Sequence, residues 1–497
     1  MRELQVAVVG SGPAGLYTAE ALIKQAAVLD PPCAMRVDVV DRLPTPYGLV
    51  RYGVAPDHKS IKSIADYLRT VLEHDSVRFI GGVHLGDDVS REDLLASYDA
   101  VVYATGAMRD RRMGIPGEDL PGSVAATDFV NWYCGHPDVD PGRFTLDAES
   151  VAVIGVGNVA VDVARILARN PRDLHETDVS QPVLDTLLAS KVREVHMIGR
   201  RGPAQAKFTT KELRELGQLD GVDVVVGEGE ADLDAFDPTG ESARLAEADR
   251  HVRGNYTVIR DWAARSAVKG DSEGRMGRRA GGGATRRLTV RFWLRPTEIH
   301  GPERTSALTL ERTRMDGDGR LIGTGSFETL PVQMVLRSVG YQSVPLPGVP
   351  FDNRSCVVPN AEGRVLGPDG SPLPGEYVAG WLKRGPTGVI GTNKSDAAQT
   401  VRSLLADLAG GPGPDDVQLP RPGLLRYPDT ELVGPGGERS SFEELLAARG
   451  LRPVSYADWQ KIETAEKELA AALGRGARVK LGSREEIHRA CGLVIPG

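Results

Sequence analysis

The sequence contains two segments in which a short apolar run is followed by a glycine-rich turn and then by residues that favour helix. In the first segment, residues 4–9 are almost uniformly apolar and residues 16–28 are rich in helix formers; residues 151–154 and 161–168 repeat this pattern. Strands that are apolar on both faces are typical of parallel sheets covered by helices on each side. The pattern therefore predicts an α/β fold in which one strand-turn-helix unit occurs twice.

Other apolar runs extend this prediction along the chain. Further strands are predicted at residues 36–41, 78–80, 100–103, 194–198, 333–339 and 376–382, and further helices at 394–408 and 456–473. A polar stretch at 170–181 delays the second strand of the second unit. Residues 270–287, where glycines alternate with charges, are predicted to form an exposed loop, and residues 410–422, rich in proline and glycine, a linker.

Length and composition limit the classes of protein that this sequence can encode. With 497 residues, of which 41% are hydrophobic and 26% charged, the chain is long enough for two or three packed units. It has no apolar run long enough to span a bilayer, and its net charge of -8 is unlike that of a protein that coats nucleic acid. We therefore expect neither a membrane span nor a nucleic-acid partner.

The cysteines are few and lie far apart, at Cys33, Cys134, Cys356 and Cys491. They supply neither a CxxC pair for dithiol chemistry nor the clustered ligands of a zinc site, so no metal site is expected. The N-terminus runs almost directly into the first strand, without a recognisable signal or transit peptide. These features indicate a reducing compartment, and the cytoplasm is the expected location.

A GxGxxG motif, Gly10, Gly12 and Gly15, lies between the first predicted strand and the first predicted helix. In this context the glycines permit a tight turn, close approach of the backbone to a pyrophosphate, and close packing of helix on strand. Asp41 ends the second strand, where a carboxylate can accept hydrogen bonds from a ribose. The first unit is therefore predicted to bind a dinucleotide, the alternative being an ordinary glycine turn.

The second unit repeats the motif as Gly155, Gly157 and Ala160, with alanine at the helix-packing position. Its second strand ends in Arg200 and Arg201 rather than in an acid. Paired guanidinium groups suit a 2′-phosphate better than a free 2′-hydroxyl, so this unit is predicted to bind NADP rather than NAD. The alternative is a solvated arginine pair at the end of a strand.

Several longer motifs carry a resemblance to a known family. They are GSGPAG (10–15), LPTPYGLVR (43–51), GVAPDH (53–58), IPGEDLPG (115–122), residues 155–164, GRRGP (199–203), FTTKELRE (208–215) and GWLKRGPTGVIG (380–391). On these motifs the chain resembles the adrenodoxin reductase type of ferredoxin:NADP reductase, including its bacterial members.

The resemblance implies an α/β fold with two Rossmann-like dinucleotide-binding domains and a C-terminal appendage. The FAD-binding domain would comprise residues 1–107 and 342–410, with the NADP-binding domain, residues 108–341, inserted between them. Residues 411–497 would form a linker and a helical appendage that associates with the FAD domain.

The resemblance also implies which residues hold the two nucleotides. FAD would contact the first glycine turn and segments that flank its ribose and its isoalloxazine: Gly10, Gly12, Pro13, Ala14, Gly15, Asp41, Leu49, Trp381, Gly388, Val389 and Ile390. NADP(H) would contact the second turn, the arginine pair and the residues near its nicotinamide: Arg111, Gly155, Gly157, Asn158, Val159, Arg200, Arg201, Glu212 and Gly388. For Trp381, packing in the core is an equally good interpretation.

Physical arguments bear on the turn at residues 388–391 and on a candidate proton relay. The turn at residues 388–391 precedes a predicted helix, whose N-terminal amides and dipole can stabilise negative charge on a reduced flavin. His58 is a candidate for a proton relay beside the flavin, together with Glu215, which shares a helix face with Glu212 at i, i+3. The alternative for His58 is a histidine fixed by local hydrogen bonds.

Residues 250–300 carry twelve basic and four acidic side chains within an acidic chain. Such a run is often only a solvated face, but a basic surface on an acidic reductase also suits the docking of a small acidic iron-sulfur protein. The sequence therefore predicts an FAD-dependent oxidoreductase that moves electrons between NADPH and an acidic ferredoxin. The alternative is an FAD- and NADPH-binding redox sensor or electron-transfer subunit without ferredoxin turnover.

Overall fold

The computed structural model describes residues 3–272, 285–409, 441–476 and 478–493. Within these ranges the first sheet has seven strands. The last five in the spatial order below are parallel to one another, and the first two pair in an antiparallel manner. In spatial order the strands are Asn360–Ala361, Arg364–Leu366, Pro372–Val378, Ala100–Tyr103, Leu4–Val9, Met35–Asp41 and Val77–Gly81. The N-terminal part of the chain and a segment near residue 370 therefore share one sheet.

The second sheet has six strands in the described ranges, all paired in parallel. In spatial order they are Ser123–Ala125, Met334–Arg337, Ser150–Ile154, Glu194–Ile198, Arg286–Arg291 and Val222–Val226. An antiparallel sheet that the sequence did not predict packs beside it, formed by Leu294–His300, Ala307–Met315 and Leu321–Pro331. The strands Arg109–Asp110 and Tyr341–Gln342 pair where the chain passes between the two larger sheets.

Helices cover both large sheets. Those in the first half of the chain are Pro13–Ala27, Leu49–Tyr52, Lys59–Lys62, Ile64–Leu72, Arg91–Ser97, Ala126–Tyr133, Asn158–Ala168, Gln181–Leu188, Thr210–Leu216 and Glu241–Ala248. Those in the second half are Arg250–Ser272, Trp381–Arg384, Thr392–Ala409, Phe442–Ala448, Tyr456–Ala472 and Arg484–Ala490, and short 3-10 turns occur at Pro171–Leu174 and Pro203–Gln205. None of the helices in the described ranges is long and apolar enough to cross a membrane.

The central strands are buried on both faces, as their apolar sequences predict. Val6 and Val8 enter the core on one side of the first sheet, and Ala7 and Val9 enter the core on the other side. In the second sheet the alternate residues of Ser150–Ile154 likewise divide between two cores. The predicted α/β class with two units, each built on a largely parallel sheet, is confirmed.

Two predicted elements differ from the structure. The strand predicted at 376–382 ends at Val378, because Gly380 adopts a positive φ of 72° that turns the chain into the helix Trp381–Arg384. The loop predicted at 270–287 is shorter at both ends, since one helix continues to Ser272 and a strand begins at Arg286. The rest of that loop, residues 273–284, and the predicted linker lie outside the described residues.

Candidate functional site

The first glycine turn lies at the carboxyl end of strand Leu4–Val9, where each glycine meets a different steric demand. Gly10 has a φ of +114°, and a Cβ there would lie 2.5 Å from the carbonyl oxygen of Ala104. A Cβ on Gly15 would overlap the carbonyl oxygen of Gly10. At Gly12 the nearest atom to a Cβ would be 3.9 Å away, on Gly48, so the space in front of Gly12 is open to a ligand.

Asp41 lies beside this turn. Its carboxylate accepts hydrogen bonds from the Ser11 amide at 2.7 Å and the Ser11 hydroxyl at 2.6 Å, and from the Leu43 amide at 2.9 Å. The next residue, Arg42, lines a cavity of about 290 Å³ together with Gly82, His84, Asp87, Asp88 and Arg484. Asp41, the residue predicted to bind the ribose, is therefore fixed at the glycine turn.

Two distant segments converge on the same turn. A Cβ on Gly48 would lie 2.8 Å from the Cα of Gly12, which places Leu49 immediately beside the turn. A Cβ on Gly380 would lie 2.5 Å from the Cβ of Ala14, so Trp381 also follows a point of close contact. The structure thus brings the predicted FAD residues of three segments together.

Trp381 is half-buried and stacks on Tyr341, with ring centroids 5.6 Å apart and an interplanar angle of 29°. Its indole N–H donates to the carbonyl oxygen of Thr387 at 3.2 Å, which ties the ring to the start of the 388–391 turn. In that turn Val389 is 63% exposed and leads directly into helix Thr392–Ala409. The N-terminus of this helix therefore lies next to the turn, as the sequence predicts.

The second glycine turn has the same construction. A Cβ on Gly155 would overlap the carbonyl oxygen of Ser338, whereas a Cβ on Gly157 would meet nothing within 4 Å. Asn158 and Val159 begin the following helix, and the Asn158 side chain accepts a hydrogen bond from the Thr209 amide at 2.9 Å. This bond joins the turn to the helix Thr210–Leu216, which carries Glu212 and Glu215.

The arginines predicted to bind phosphate are exposed. Arg200 and Arg201 follow strand Glu194–Ile198, and the Arg200 carbonyl accepts a hydrogen bond from the Thr313 hydroxyl at 2.7 Å. In the described part of the chain neither guanidinium forms an ion pair. Arg111 lies elsewhere, exposed at the passage between the sheets, where its amide donates to Gly340.

His58 lies at the junction of the two sheet units. Its Nε2 is 2.8 Å from Oδ1 of Asp162 and 2.7 Å from Nη2 of Arg165, and its Nδ1 is 3.8 Å from Oε2 of Glu215. Burial alone would lower the pKa of His58, but the hydrogen bond to Asp162 and its charge outweigh burial and raise the pKa. The predicted pair of His58 and Glu215 is therefore close, but Asp162 is the nearer carboxylate.

Arg165 was not predicted as a site residue, yet it fixes this junction. Its side chain is 2% exposed, and its guanidinium donates to Asp57 at 2.6 and 3.0 Å and pairs with Asp162 at 2.8 Å. Burial would raise the pKa of Asp57, but the hydrogen bond to Arg165 lowers it below its usual value. The only sequence signal for this role is that Asp162 and Arg165 share a face of the helix after the second turn.

Glu212 is buried, and its Oε2 has no hydrogen-bond partner among the described residues. Burial raises the pKa of Glu212, and the negative charge of Asp162 raises it further. A buried acceptor without a partner costs free energy until a donor satisfies it. Oε2 of Glu212 is therefore available to accept a hydrogen bond from an N–H group of a ligand, such as that of a carboxamide.

The four cysteines are all free, and three of them are buried. None forms a disulfide with another. A dithiol reductase would need a redox-active pair beside the flavin. The described residues therefore contain no disulfide of the kind that such a reductase uses.

Comparisons with known proteins relate this geometry to characterised relatives. The family described as pyridine nucleotide-disulphide oxidoreductase matches residues 4–248. The chain is 43% identical to NADPH-ferredoxin reductase FprA of Mycobacterium tuberculosis, over 98% of this chain and 99% of that protein. It is 38% identical to human mitochondrial NADPH:adrenodoxin oxidoreductase, over 98% of this chain and 92% of that protein.

A solved structure shows the same overall fold. The structure of Mycobacterium tuberculosis FprA in complex with NADPH superposes with a TM-score of 0.82 at 41% identity. The match covers 99% of this chain and 100% of the other. The similarity therefore extends over both sheet units.

Proposed function

Because this chain belongs to the adrenodoxin reductase type of ferredoxin:NADP reductases, we propose that it is an FAD-dependent oxidoreductase that moves electrons from NADPH to a ferredoxin-type iron-sulfur protein. The observation that supports this most strongly is that each sheet unit carries a glycine turn of the dinucleotide-binding type between a buried strand and a helix. Between the two units lies a junction of buried acidic and basic side chains around His58. A reductase needs this arrangement because its two nucleotides must meet.

The residues of the first unit fit FAD. Gly12 leaves an open path to its backbone, Asp41 is beside the turn, and Leu49 and Trp381 follow the two segments that pack against it. Bound FAD would supply the redox chemistry, since a flavin accepts two electrons from a nicotinamide and can release them one at a time. The N-terminus of helix Thr392–Ala409 would place its partial positive charge beside the ring and stabilise negative charge there.

The residues of the second unit fit NADPH. Gly157 presents its backbone without a side chain in the way, and the helix that starts at Asn158 directs amide groups toward a pyrophosphate. Arg200 and Arg201 are exposed and would bind the 2′-phosphate. The unpaired Oε2 of Glu212 would accept a hydrogen bond from the nicotinamide carboxamide, which would orient the ring.

His58 and Glu215 would serve the proton balance of the reaction. Asp162 raises the pKa of His58 and so favours the protonated imidazole, which can donate a proton to, or accept one from, a partner at Nδ1. Glu215 is the carboxylate nearest to Nδ1, at 3.8 Å. The side chain of Glu215 is 30% exposed, which offers the proton a route to solvent.

For the acceptor we propose an acidic ferredoxin that docks on a basic surface containing helix Arg250–Ser272. Arg250, Arg253, Arg260 and Arg265 are exposed on this helix. The helix packs on Thr210–Leu216. The two helices are so close that a Cβ on Gly254 would lie 3.1 Å from the hydroxyl of Thr210. The basic surface therefore adjoins the helix that carries Glu212 and Glu215.

The basic segment predicted from sequence needs several corrections. Arg291 pairs with Glu230 at 2.8 Å and with Glu328 at 2.9 Å, and Arg295 pairs with Glu311 at 2.5 Å, so nearby carboxylates compensate both charges. The guanidinium of Arg286 is half-buried and donates to the carbonyl oxygens of Val192 at 3.1 Å and Ala168 at 3.3 Å. It therefore supports the second unit instead of facing solvent. Arg275, Arg278 and Arg279 lie outside the described residues.

We also infer the domain division from these positions: residues 1–107 with 342–410 would bind FAD, and residues 108–341 would bind NADP(H). The first sheet takes its strands from the former ranges and the second sheet from the latter. The cytoplasm remains our proposed location, since the cysteines are free and suit a reducing compartment.

One experiment separates this function from the alternative of a redox sensor without turnover. The purified protein should be yellow, should release non-covalent FAD on acid precipitation, and should reduce added ferredoxin with NADPH under anaerobic conditions. A protein that holds FAD and binds NADPH but reduces neither ferredoxin nor a dye would be the sensor. A folded protein that takes up no FAD would refute both.

A further inference from the structure

A lysine near the C-terminus is buried where the two sheet units meet. The side chain of Lys480 is 1% exposed. Its ammonium donates to the carbonyl oxygen of Arg51 at 2.6 Å and to that of Cys134 at 2.8 Å, and it lies 3.2 Å from a carboxylate oxygen of Asp178. An ammonium has three N–H donors, so each donor has an acceptor on a different segment.

These acceptors belong to different parts of the molecule. Arg51 lies in the short helix that begins with Leu49, in the proposed FAD unit. Cys134 follows helix Ala126–Tyr133 in the proposed NADP unit, and Asp178 lies in the polar insertion at 170–181. Burial would raise the pKa of Asp178, but the charges of Lys480 and Lys62 outweigh burial and hold it far below its usual range. The ammonium therefore has a carboxylate counter-ion, which a buried charge requires.

Two residues that precede Lys480 also contact the NADP unit. Arg475 donates to the carbonyl oxygens of His175 and Thr177, each at 3.3 Å. Gly476 lies so close to Glu176 that a Cβ would be 3.1 Å from its backbone. We call the stretch from Arg475 to Arg484 the C-terminal strap; the structure describes all of it except residue 477.

Beyond Lys480, the end of the strap contacts both units through one carboxylate. Arg484 pairs with Asp138 of the NADP unit at 2.6 Å. Asp138 in turn binds Arg42, which follows the proposed ribose ligand of the FAD unit, at 2.5 Å. The strap therefore takes part in contacts across the junction at two separate places.

The strap is anchored to the FAD unit through Glu466. This carboxylate is fully buried, accepts a hydrogen bond from the Leu481 amide at 3.2 Å, and binds the guanidinium of Arg51 at 3.2 Å. Glu466 lies in helix Tyr456–Ala472, whose Trp459 belongs to the core of the first sheet. One end of the strap is thus fixed to the first unit while its length contacts the second.

We propose that the C-terminal strap is an interdomain clamp and that Lys480 is a positioning residue for hydride transfer. This inference rests on the proposed function. By joining Arg51 to Cys134 and Asp178, the clamp holds the second glycine turn at a fixed orientation to the first. A displacement of about 1 Å between reacting groups can lower a rate about a hundredfold, so the orientation of the two units matters for the reaction.

The test replaces Lys480→Met, which keeps most of the side-chain volume and removes the three donors. We expect unchanged FAD content, a dissociation constant for NADPH within about twofold of the parent, and flavin reduction slowed by about tenfold or more. Solution X-ray scattering should show a larger radius of gyration, and amide hydrogen exchange should rise at residues 131–136 and 176–181. The matched control is Lys191→Met, a lysine that is 64% exposed and lies outside the strap.

A second variant, Gly476→Val, leaves every charge in place and displaces the strap from Glu176. It should change scattering and flavin reduction in the same direction, and it carries the test if Lys480→Met does not fold. Parent-like scattering, exchange and flavin reduction in both variants would overturn the clamp. If the parent itself does not oxidise NADPH, the proposed function fails, while scattering and exchange still decide whether the strap joins the two units.

Discussion

The imidazole of His58 and the carboxylate of Asp162 lie 2.8 Å apart, although 104 residues separate them in the chain. His58 precedes the short helix Lys59–Lys62, and Asp162 lies in the helix after the second glycine turn. Arg165 bonds both Asp162 and Asp57, so the histidine and its carboxylate are held from the two sides of the junction. The proton affinity of His58 therefore depends on how the two units meet.

We predict that Asp162→Asn lowers the pKa of His58, because the hydrogen bond and charge of Asp162 raise it in the parent. The limb of the pH profile of kcat/KM for NADPH that reports His58 should move to lower pH. A raised histidine pKa stabilises the fold fully below about pH 6.5 and loses that contribution as the pH rises through the raised value. The variant should therefore show a smaller loss of unfolding free energy across this range.

The measurement is a pH titration of dye reduction and of thermal stability between pH 5 and 9. Asp66→Asn, an exposed residue of helix Ile64–Leu72, serves as the control and should leave both profiles unchanged. Identical profiles for Asp162→Asn and the parent would show that the carboxylate does not control His58.

Alanine at the two open glycines should separate the two nucleotide sites. Neither Gly12→Ala nor Gly157→Ala meets a protein atom closer than 3.9 Å, so both variants should fold. Gly12→Ala should weaken FAD binding by at least about tenfold, or about 1.4 kcal/mol, by blocking approach of the pyrophosphate. Gly157→Ala should raise the dissociation constant for NADPH and leave FAD content at the parent level.

Flavin content by absorbance and NADPH affinity by fluorescence titration check this pair of variants. Each glycine variant is the control for the other. Loss of both nucleotides in both variants would indicate general disruption instead of two separate sites.

Removal of the exposed arginine pair should erode the preference for NADPH over NADH. A hydrogen bond from a charged donor contributes roughly 1.5–3 kcal/mol, so Arg200→Ala or Arg201→Ala should each reduce the ratio of kcat/KM for the two coenzymes by about tenfold or more. Steady-state kinetics with both coenzymes measure this ratio, and Arg402→Ala, an exposed arginine of helix Thr392–Ala409, is the control. A parent-like ratio in both variants would place the phosphate site elsewhere.

The docking proposal predicts a salt effect that is specific to the protein acceptor. Replacing Arg260, Arg265 and Arg287 by serine should raise the apparent KM for ferredoxin several-fold and flatten its dependence on salt. Salt weakens the attraction of the arginines to an acidic partner, because at about 0.15 M the Debye length is only about 8 Å. A variant that lacks these charges has less attraction for salt to screen. All three side chains are exposed, unlike Arg286.

Dye reduction and FAD content should not change in that triple variant, which separates docking from catalysis. The measurement is the rate of ferredoxin reduction from low to high salt. Equal salt slopes for parent and variant would show that these arginines are only a solvated face, and the basic surface for the partner would then lie elsewhere.

The amino-acid sequence by itself determined the elements that depend on local pattern. Strand Ala100–Tyr103 and strand Glu194–Ile198 were predicted at their observed bounds, because an apolar run flanked by polar residues and turns is a local signal. The glycine turns were recognisable because the spacing of their glycines, between an apolar run and a helix-favouring run, is itself a local signal. The atoms that would crowd a side chain at Gly10 and Gly155 belong to Ala104 and Ser338, which only the tertiary structure brings there.

Other features were decided only by the tertiary structure. The antiparallel sheet that includes Ala307–Met315 has no distinctive motif, and the end of a strand at Val378 depends on the backbone conformation of Gly380. Arg286 is a similar case. The sequence predicts that it belongs to a basic surface, but in the structure its guanidinium donates hydrogen bonds to the carbonyl oxygens of Val192 and Ala168. Whether a polar side chain faces solvent or bonds within the protein depends on residues far away in the chain.

The junction shows this most clearly. The contacts of Asp162 with His58, and of Lys480 with Arg51 and Cys134, join segments with no common pattern in the sequence. Burying a charge costs free energy that an ion pair or hydrogen bonds must offset, and those partners are chosen by how complete elements pack. Local sequence therefore predicted the two turns at which we propose that the nucleotides bind, whereas the packing of distant segments decided which charged groups lie at the junction and hold the two units together.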